Sequence, residues 1–185
     1  MLLDLIKSRR AVFPVQYNSE EISKADLNRV LDAANWAPTH RRTEPWRFKV
    51  FYSERSRLAL SEFLSETYME TATKLSEVKL KKIAEKPLQS ACVIAICMQR
   101  DPAMSIPEWE EIASTAMAVQ NMWLMAHELN IGAYWSSPAM KDHFGRHITL
   151  GEGEKCLGFF YMGKYDHALP EGHRNTEIDD KVVWL

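Results

Sequence analysis

Glycine is scarce in this chain, with seven in 185 residues. None of the seven forms the G-x-G-x-x-G or G-x-x-x-x-G-K-[ST] pattern, in which the backbone N–H groups of a loop surround a phosphate. Their absence argues against a Rossmann or P-loop nucleotide site. Any phosphate group that this protein binds must therefore be contacted by side chains.

An excess of either charge is also lacking, because 23 basic and 25 acidic residues give a net charge of −2. This balance gives no reason to expect a nucleic acid or an anionic membrane as the general partner. The N-terminal apolar run is short, contains Asp4 and shows no small-residue cleavage pattern. We therefore expect neither a secretory signal nor a membrane span, and a cytoplasmic location.

Only three cysteines are present, Cys92, Cys97 and Cys156, and none lies in C-x-x-C spacing. They are expected to be buried, reduced thiols rather than redox or metal sites. His143 and His147 have i,i+4 spacing but lack both an H-E-x-x-H motif and a nearby third ligand, so no metal site is predicted. A G-x-S-x-G elbow is absent too, which leaves a hydrolase triad unsupported.

The remaining composition is an ordinary globular mixture, 46% hydrophobic and 10% aromatic, without internal repeats. One domain over residues 1–185 is expected. The strand predicted over 91–98 is apolar throughout, which is typical of a central strand covered on both faces. Periodicity and capping predict helices over 2–10, 23–37, 53–85 with a break near 71–73, 107–129 and 137–145, and further strands over 46–52, 132–135 and 157–165.

Two segments carry predictions about packing. Pro107 is expected at the N1 position of its helix, whose middle is poor in charge on every side and is therefore expected to be buried all round. The apolar ending, residues 182–185, follows a segment without clear period and must cover something to avoid an exposed patch. It either crosses to a partner subunit or folds back on its own domain.

Basic side chains occur at two places that could serve a ligand. Arg9 and Arg10 end the first predicted helix, where an arginine fork can bind phosphate oxygens bidentately, although a solvated cationic helix end is the alternative. His40, Arg41 and Arg42 lie in the stretch A-P-T-H-R-R-T-E-P-W-R-F, on a loop between a capped helix and a strand. Such loops commonly hold ligand-binding groups, and solvent-facing side chains are again the alternative.

Five blocks of sequence together resemble the nitroreductase family of FMN-dependent oxidoreductases, and its compact branch in particular. They are the opening L-I-x-x-R-R, the A-P-T-H and P-W-R-F blocks, the long alanine-rich helix after Pro107, G-A-Y-W-S-S-P, and G-F-F-Y-M-G. The resemblance covers nearly the whole chain. No single block is specific, and the order of the five carries the identification.

The resemblance implies an α+β fold of three layers, with a central, mostly antiparallel sheet flanked by helices and a C-terminal arm that reaches the partner subunit. It also implies a homodimer with FMN bound at the subunit interface, and residues 125–130 match a segment assigned to nicotinamide nucleotide binding. The implied cofactor-binding residues are Arg9, Arg10 and Ala11 at the phosphate and the pyrimidine edge, Trp36 and His40 from the other subunit, and Trp135, Ser136 and Ser137 beside the isoalloxazine.

The chain departs from the family pattern at two positions. Ala11 stands where the family usually has serine, which removes a hydroxyl but keeps the backbone donor. Glu44 stands where the family usually has glutamine, and an ionised carboxylate can only accept hydrogen bonds. Such a carboxylate would disfavour the anionic reduced flavin unless Arg42 or Arg47 pairs with it.

The implied function is an enzyme in which NAD(P)H reduces FMN, and FMN then reduces a nitroaromatic, a quinone or a related electrophile in a ping-pong, two-electron mechanism. Because the flavin carries the hydride chemistry, no catalytic side chain is predicted. Two alternatives stay open. One is a flavin-binding carrier or sensor without efficient turnover, suggested by Glu44 and Ala11. The other is a dimerisation module without a ligand, suggested by the apolar ending.

Overall fold

A four-stranded sheet forms the middle layer of the structure, a computed structural model that describes residues 1–185. Its strands are β1 (Trp46–Phe51), β2 (Cys92–Gln99), β3 (Ile131–Ser136) and β4 (Glu154–Lys164), in the spatial order β1-β2-β4-β3. All three neighbouring pairs are antiparallel. The predicted central antiparallel sheet is confirmed.

Five helices cover the two faces of this sheet or flank it. They are α1 (Leu2–Ser8), α2 (Lys24–Asn35), α3 (Glu54–Thr71), α4 (Glu77–Gln89) and α5 (Glu108–Glu128). Short 3-10 segments lie at Pro14–Gln16, His40–Arg42, Ala139–Arg146 and Asp179–Lys181. The expected α+β fold with helices on both sides of the sheet is confirmed.

The central strand β2 explains why the fold has three layers. Ile94 and Ile96 point into a core shared with α2 and α5, whereas Val93 and Ala95 point into a second core shared with α3, α4 and the 3-10 segment Ala139–Arg146. All four residues are inaccessible to solvent. Since successive side chains of a strand alternate between faces, an all-apolar strand requires cover on both of them.

Serine caps set the starts of the helices as the sequence predicted. The hydroxyl oxygen of Ser23 accepts the Asp26 N–H at 3.0 Å, and that of Ser53 accepts the Ser56 N–H at 3.2 Å. The predicted helix break is also confirmed, because α3 ends at Thr71 and α4 begins at Glu77. Helix α4 continues past Pro87, beyond the predicted end near residue 85.

Several predicted boundaries are wrong. Pro107 is the N-cap of α5 rather than its N1 residue. Strand β4 begins three residues before the predicted Leu157, because Glu154 and Lys155 pair with the end of β2. These two residues are polar, so the apolar pattern that marks the rest of the strand does not extend to them. The predicted helix over 137–145 is a 3-10 segment, Ala139–Arg146.

The packing prediction for α5 needs correction, and the structure decides against one of the two alternatives for the C-terminus. Helix α5 buries only one face in this chain, and Met117 in its middle is 39% exposed. The apolar ending does not fold back on its own domain, since Trp184 is 90% exposed. The charge-poor middle of α5 therefore includes apolar surface that the rest of this chain does not cover.

The three cysteines are free and buried, which confirms the burial predicted for them. Burial raises the pKa of the Cys92 thiol to about 12. No cluster of three or more His, Cys, Asp or Glu side chains is arranged to hold a metal ion. His147 stacks instead on Phe63, with ring centroids 5.0 Å apart. None of the helices has the length and apolar character needed to cross a membrane.

The segment after α1 is joined to the sheet by hydrogen bonds. Val12 donates its N–H to the Ala133 carbonyl at 3.1 Å. The Tyr17 hydroxyl contacts the carbonyl oxygens of Val12, at 2.8 Å, and Tyr161, at 3.0 Å. The Tyr17 ring lies directly against Gly163 of β4, where a Cβ atom would overlap it.

Gly163→Ala should therefore destabilise the protein, because the added methyl group displaces the Tyr17 ring and strains its hydroxyl contacts. We expect a loss of about 1–3 kcal/mol in the free energy of unfolding, which lowers the melting temperature by roughly 3–10 °C in a chain of this size. The change in melting temperature is measured by monitoring thermal unfolding with circular dichroism at one protein concentration. Gly145→Ala is the matched control, because the nearest atom to its Cβ would be Leu150 Cδ1 at 3.8 Å. Equal melting temperatures for the two variants would contradict this assignment.

Candidate functional site

The arginine pair lies where α1 ends and the chain becomes extended. Arg9 is the C-cap residue, with φ −56° and ψ 131°, and its extended conformation leads into the Val12 contact with β3. Arg10 and Ala11 therefore lie beside the edge of the sheet that β3 forms. The prediction names three groups of site residues. Two of them lie in adjoining segments of the fold, namely Arg9 to Ala11 and Trp135 to Ser137.

Arg9 is half-buried and lies over an aromatic ring. Its guanidinium carbon is 4.6 Å from the centroid of the Trp123 ring on α5, which is a cation–π distance. Burial lowers the pKa of Arg9, and the neighbouring charges of Arg10 and Arg174 lower it further. Three guanidinium groups thus repel one another here, and an anion would relieve the repulsion.

Arg10 connects the two ends of the chain. Its Nε donates to the Pro170 carbonyl at 2.9 Å, and its Nη1 donates to the carbonyls of Lys7, at 2.7 Å, and Arg9, at 2.8 Å. A Cβ atom on Gly172 would overlap the Arg10 guanidinium, so glycine allows the C-terminal segment to pass this close. The Arg10 side chain is oriented by backbone carbonyls and forms no ion pair.

A cavity of about 620 Å³ lies between the end of α1 and the C-terminal segment. Its basic lining side chains are Lys7, Arg10 and Arg174, and its acidic ones are Glu171 and Glu177. Arg174 Nη1 donates to the carbonyl of its neighbour His173 at 2.8 Å, and the side chain forms no ion pair. The arginine side chains of this cavity are of the type that binds phosphate oxygens.

Arg174 is a candidate site residue that the sequence-based prediction does not include. It lies in a segment without periodicity, which the prediction treated only as a connection to the apolar ending. The available signal was the sequence Pro170-Glu171-Gly172 just before it, which is typical of a turn that can bring a basic residue back to the domain.

The end of β3 presents the second predicted group. Trp135 and Ser136 are partly buried and pair with Phe160 and Phe159 of β4, and Ser137 is exposed. The Trp135 indole lies against Gly158, and there is room for the indole because glycine has no Cβ atom. The φ angle of Gly158, 149°, also favours glycine. Its buried N–H has no acceptor in the chain. Buried donors are normally satisfied, so this one marks a place where a further group is expected.

The third predicted group lies on the loop between α2 and β1. Trp36 is the C-cap residue of α2 and is 80% exposed. His40 Nδ1 lies 2.5 Å from Oε2 of Glu110, in the first turn of α5. Inside the loop, the Thr39 hydroxyl accepts the Glu44 N–H at 3.2 Å.

The backbone of this loop is strained. Arg41, Arg42 and Glu44 have φ angles of 51°, 56° and 40°, in the left-handed region that non-glycine residues seldom adopt. Each such residue costs on the order of 1 kcal/mol or more, and residues of this kind cluster at functional sites.

Glu44 has no ion-pair partner in this chain. Arg47 Nη1 contacts the Glu44 carbonyl at 2.9 Å rather than its carboxylate, and neither Arg42 nor Arg47 forms a salt bridge with it. The pairing that would have offset its charge is therefore absent. The carboxylate is left exposed on the strained loop.

Helix α5 separates the loop from the arginine pair. His40 contacts Glu110 and Arg9 lies over Trp123, thirteen positions further along the helix, which is about 20 Å at 1.5 Å per residue. The segment matched to nicotinamide binding, residues 125–130, lies at the second of these ends, where His127 Nε2 is 2.8 Å from the Ser8 hydroxyl. One chain therefore does not bring His40 to Arg9 and Arg10.

Known proteins resemble this chain over its full length. YfhC of Bacillus subtilis, which carries the provisional name NAD(P)H nitroreductase, is 27% identical over 99% of this chain and 93% of its own. The crystal structure of a nitroreductase-like family protein from Bacillus cereus superposes with a TM-score of 0.82 at 27% identity, covering 100% of this chain and 96% of that one.

A second structure has a similar fold at lower identity. It is the crystal structure of a protein from Desulfovibrio desulfuricans, provisionally named a nitroreductase, in complex with FMN. It has a TM-score of 0.75 at 19% identity over 100% of this chain and 96% of its own. The model of the nitroreductase family matches residues 6–164. The chain belongs to the nitroreductase family, as its five sequence blocks predicted.

Proposed function

We propose that this protein is an FMN-dependent oxidoreductase that takes electrons from NAD(P)H and reduces nitroaromatics, quinones or related electrophiles in a ping-pong mechanism. The observation that carries the proposal is the cluster of Arg9, Arg10 and Arg174 beside a cavity of about 620 Å³. Family membership and the FMN bound to the Desulfovibrio protein support it.

The residues of the cluster suit a flavin phosphate. Arg10 is oriented by three backbone carbonyls, and Arg174 has no carboxylate partner, so both can direct donors at an anion without first breaking an ion pair. Side chains replace the glycine-rich loop that this chain lacks. The cost of holding like charges together is recovered when a phosphate binds between them.

Bound FMN would supply the two-electron hydride chemistry. The chain's own residues bind and orient the cofactor, and their positive charges favour the negative charge that reduction adds. Arg9 adds a cation that burial holds against Trp123. No protein nucleophile is needed, which agrees with the lack of a triad motif in the sequence.

A homodimer with FMN at the subunit interface accounts for the separation of the predicted residues. Trp36 and His40 are both exposed, and His40 lies about 20 Å along α5 from Arg9 of the same chain. A second copy would bring them to the first copy's arginines. The exposed α1, which buries no residue, and the exposed Trp184 offer apolar surface for the same contact and for a C-terminal arm.

A flavin-binding carrier or sensor without efficient turnover is the second candidate, favoured by the unpaired carboxylate of Glu44. A negative charge near the flavin opposes the negative charge of the reduced state and would lower the flavin's reduction potential. The carrier would bind FMN as the enzyme does but react slowly with NAD(P)H.

Arg174→Ala should weaken FMN binding by about tenfold or more, as expected for the loss of hydrogen bonds to a charged group. Riboflavin, which lacks the phosphate, should bind both proteins equally. Quenching of flavin fluorescence during titration of the apoprotein measures both affinities. Arg55→Ala, on the exposed side of α3, is the control and should behave as the unchanged protein. An apoprotein that takes up no FMN would favour the ligand-free dimerisation module.

Anaerobic mixing of the flavin-loaded protein with NADH or NADPH should bleach the visible flavin absorbance within seconds. Subsequent addition of a nitroaromatic or a quinone should restore the absorbance, and initial rates at several acceptor concentrations should give the parallel double-reciprocal lines of a ping-pong reaction. The reason is that donor and acceptor use one open face of the cofactor in turn. Flavin that binds but stays oxidised with both nucleotides would establish the carrier.

A further inference from the structure

We propose that Glu110 is a positioning residue that fixes the orientation and the protonated nitrogen of His40. The proposal rests on the proposed function, because the group that His40 then meets is the FMN of the partner subunit. Its basis is the contact of 2.5 Å between His40 Nδ1 and Glu110 Oε2. Nothing in the sequence motifs marks Glu110 for a role in the site.

The contact determines which nitrogen of the imidazole carries the proton. An ionised carboxylate has only acceptor sites, so Nδ1 must be the donor. Nε2 is then the nitrogen left for another group, and the ring can rotate only by giving up a short, charge-assisted hydrogen bond. The His40 side chain is 56% exposed and Glu110 is 24% exposed, so Nε2 remains accessible from outside the chain.

Glu110 differs from the other two acidic residues of the first turn of α5. Glu108 forms a surface ion pair with Lys155 at 2.8 Å, and Glu111 is buried, where it accepts the Asp101 N–H at 2.8 Å. These two carboxylates join parts of the same domain. Glu110 instead contacts His40 of the strained loop. The N-terminus of α5 favours the negative charge of Glu110.

Folding stability alone gives little reason for this contact. Exposed ion pairs contribute little to stability, because solvent screens them. The same loop holds the left-handed residues Arg41, Arg42 and Glu44, whose strain works against folding. His40 is exposed, a carboxylate holds it in one orientation, and its loop is strained. These features are typical of a preorganised contact for a ligand.

The test compares FMN affinity in Glu110→Gln, His40→Ala and the double variant, by fluorescence titration of the full-length apoproteins. Glu110→Gln should weaken FMN binding about fivefold, the usual effect of disturbing one hydrogen bond. In the His40→Ala background it should have no further effect, because Glu110 acts only through His40. Glu108→Gln, two residues away on the same turn, is the control and should bind FMN as the unchanged protein does.

A second readout needs no cofactor. Nitrogen-15 NMR of the labelled apoprotein should show His40 protonated at Nδ1, and Glu110→Gln should convert it to a mixture in which Nε2 is also protonated. This signature shows whether Glu110 selects the tautomer of His40, and the FMN titration of the double variant shows whether that selection serves the cofactor. Glu110→Ala should give the same mixture and serves as the second variant if Glu110→Gln unfolds.

Additive losses of affinity in the double variant, or an unchanged His40 tautomer in Glu110→Gln, would overturn the positioning role while leaving the proposed function intact. Failure of the unchanged protein to bind FMN would overturn the proposed function and, with it, the role of His40 toward the cofactor. The titration of the unchanged protein separates these two failures.

Discussion

The hydrogen bond from the Val12 N–H to the Ala133 carbonyl is the contact on which the position of the arginine pair depends. Helix α1 buries no residue, so the core does not hold its end in place. Tyr17 strengthens the attachment through its hydroxyl contacts with Val12 and Tyr161. Backbone pairing with a strand and burial of the Val12 side chain together keep Arg9 and Arg10 beside β3.

Helix α5 then determines what one chain can and cannot assemble. Its Trp123 supports Arg9 near one end, and its Glu110 contacts His40 at the other. Because a helix is a rigid rod over this length, the two groups stay about 20 Å apart in one chain. The same helix leaves Met117 partly exposed. The partly exposed face of α5 and the separation of His40 from Arg9 both support the proposal that a second copy of the chain completes the site.

Particular elements show how far the sequence could predict the fold. The sequence predicts β2 and the caps Ser23 and Ser53 correctly because a continuous apolar run and a capping serine are local patterns. The start of β4 was not, because Glu154 joins the ladder through its backbone while its side chain gives no apolar signal. The exposure of α5 was misjudged for a related reason, since composition indicates apolar surface but not which molecule covers it.

The candidate site divides in the same way. Residue types and their order along the chain determined the family, the arginine pair and the loop that carries His40, because these are local patterns of chemistry. Only the tertiary structure brought Arg174 back to Arg9 and Arg10, joined Glu110 to His40, and left Glu44 without a partner. Glu110 lies 70 positions from His40, and Arg174 lies 165 positions from Arg9, so only folding brings each pair together. Glu44 is close to Arg42 and Arg47 in the sequence, and only the side-chain geometry shows that it pairs with neither.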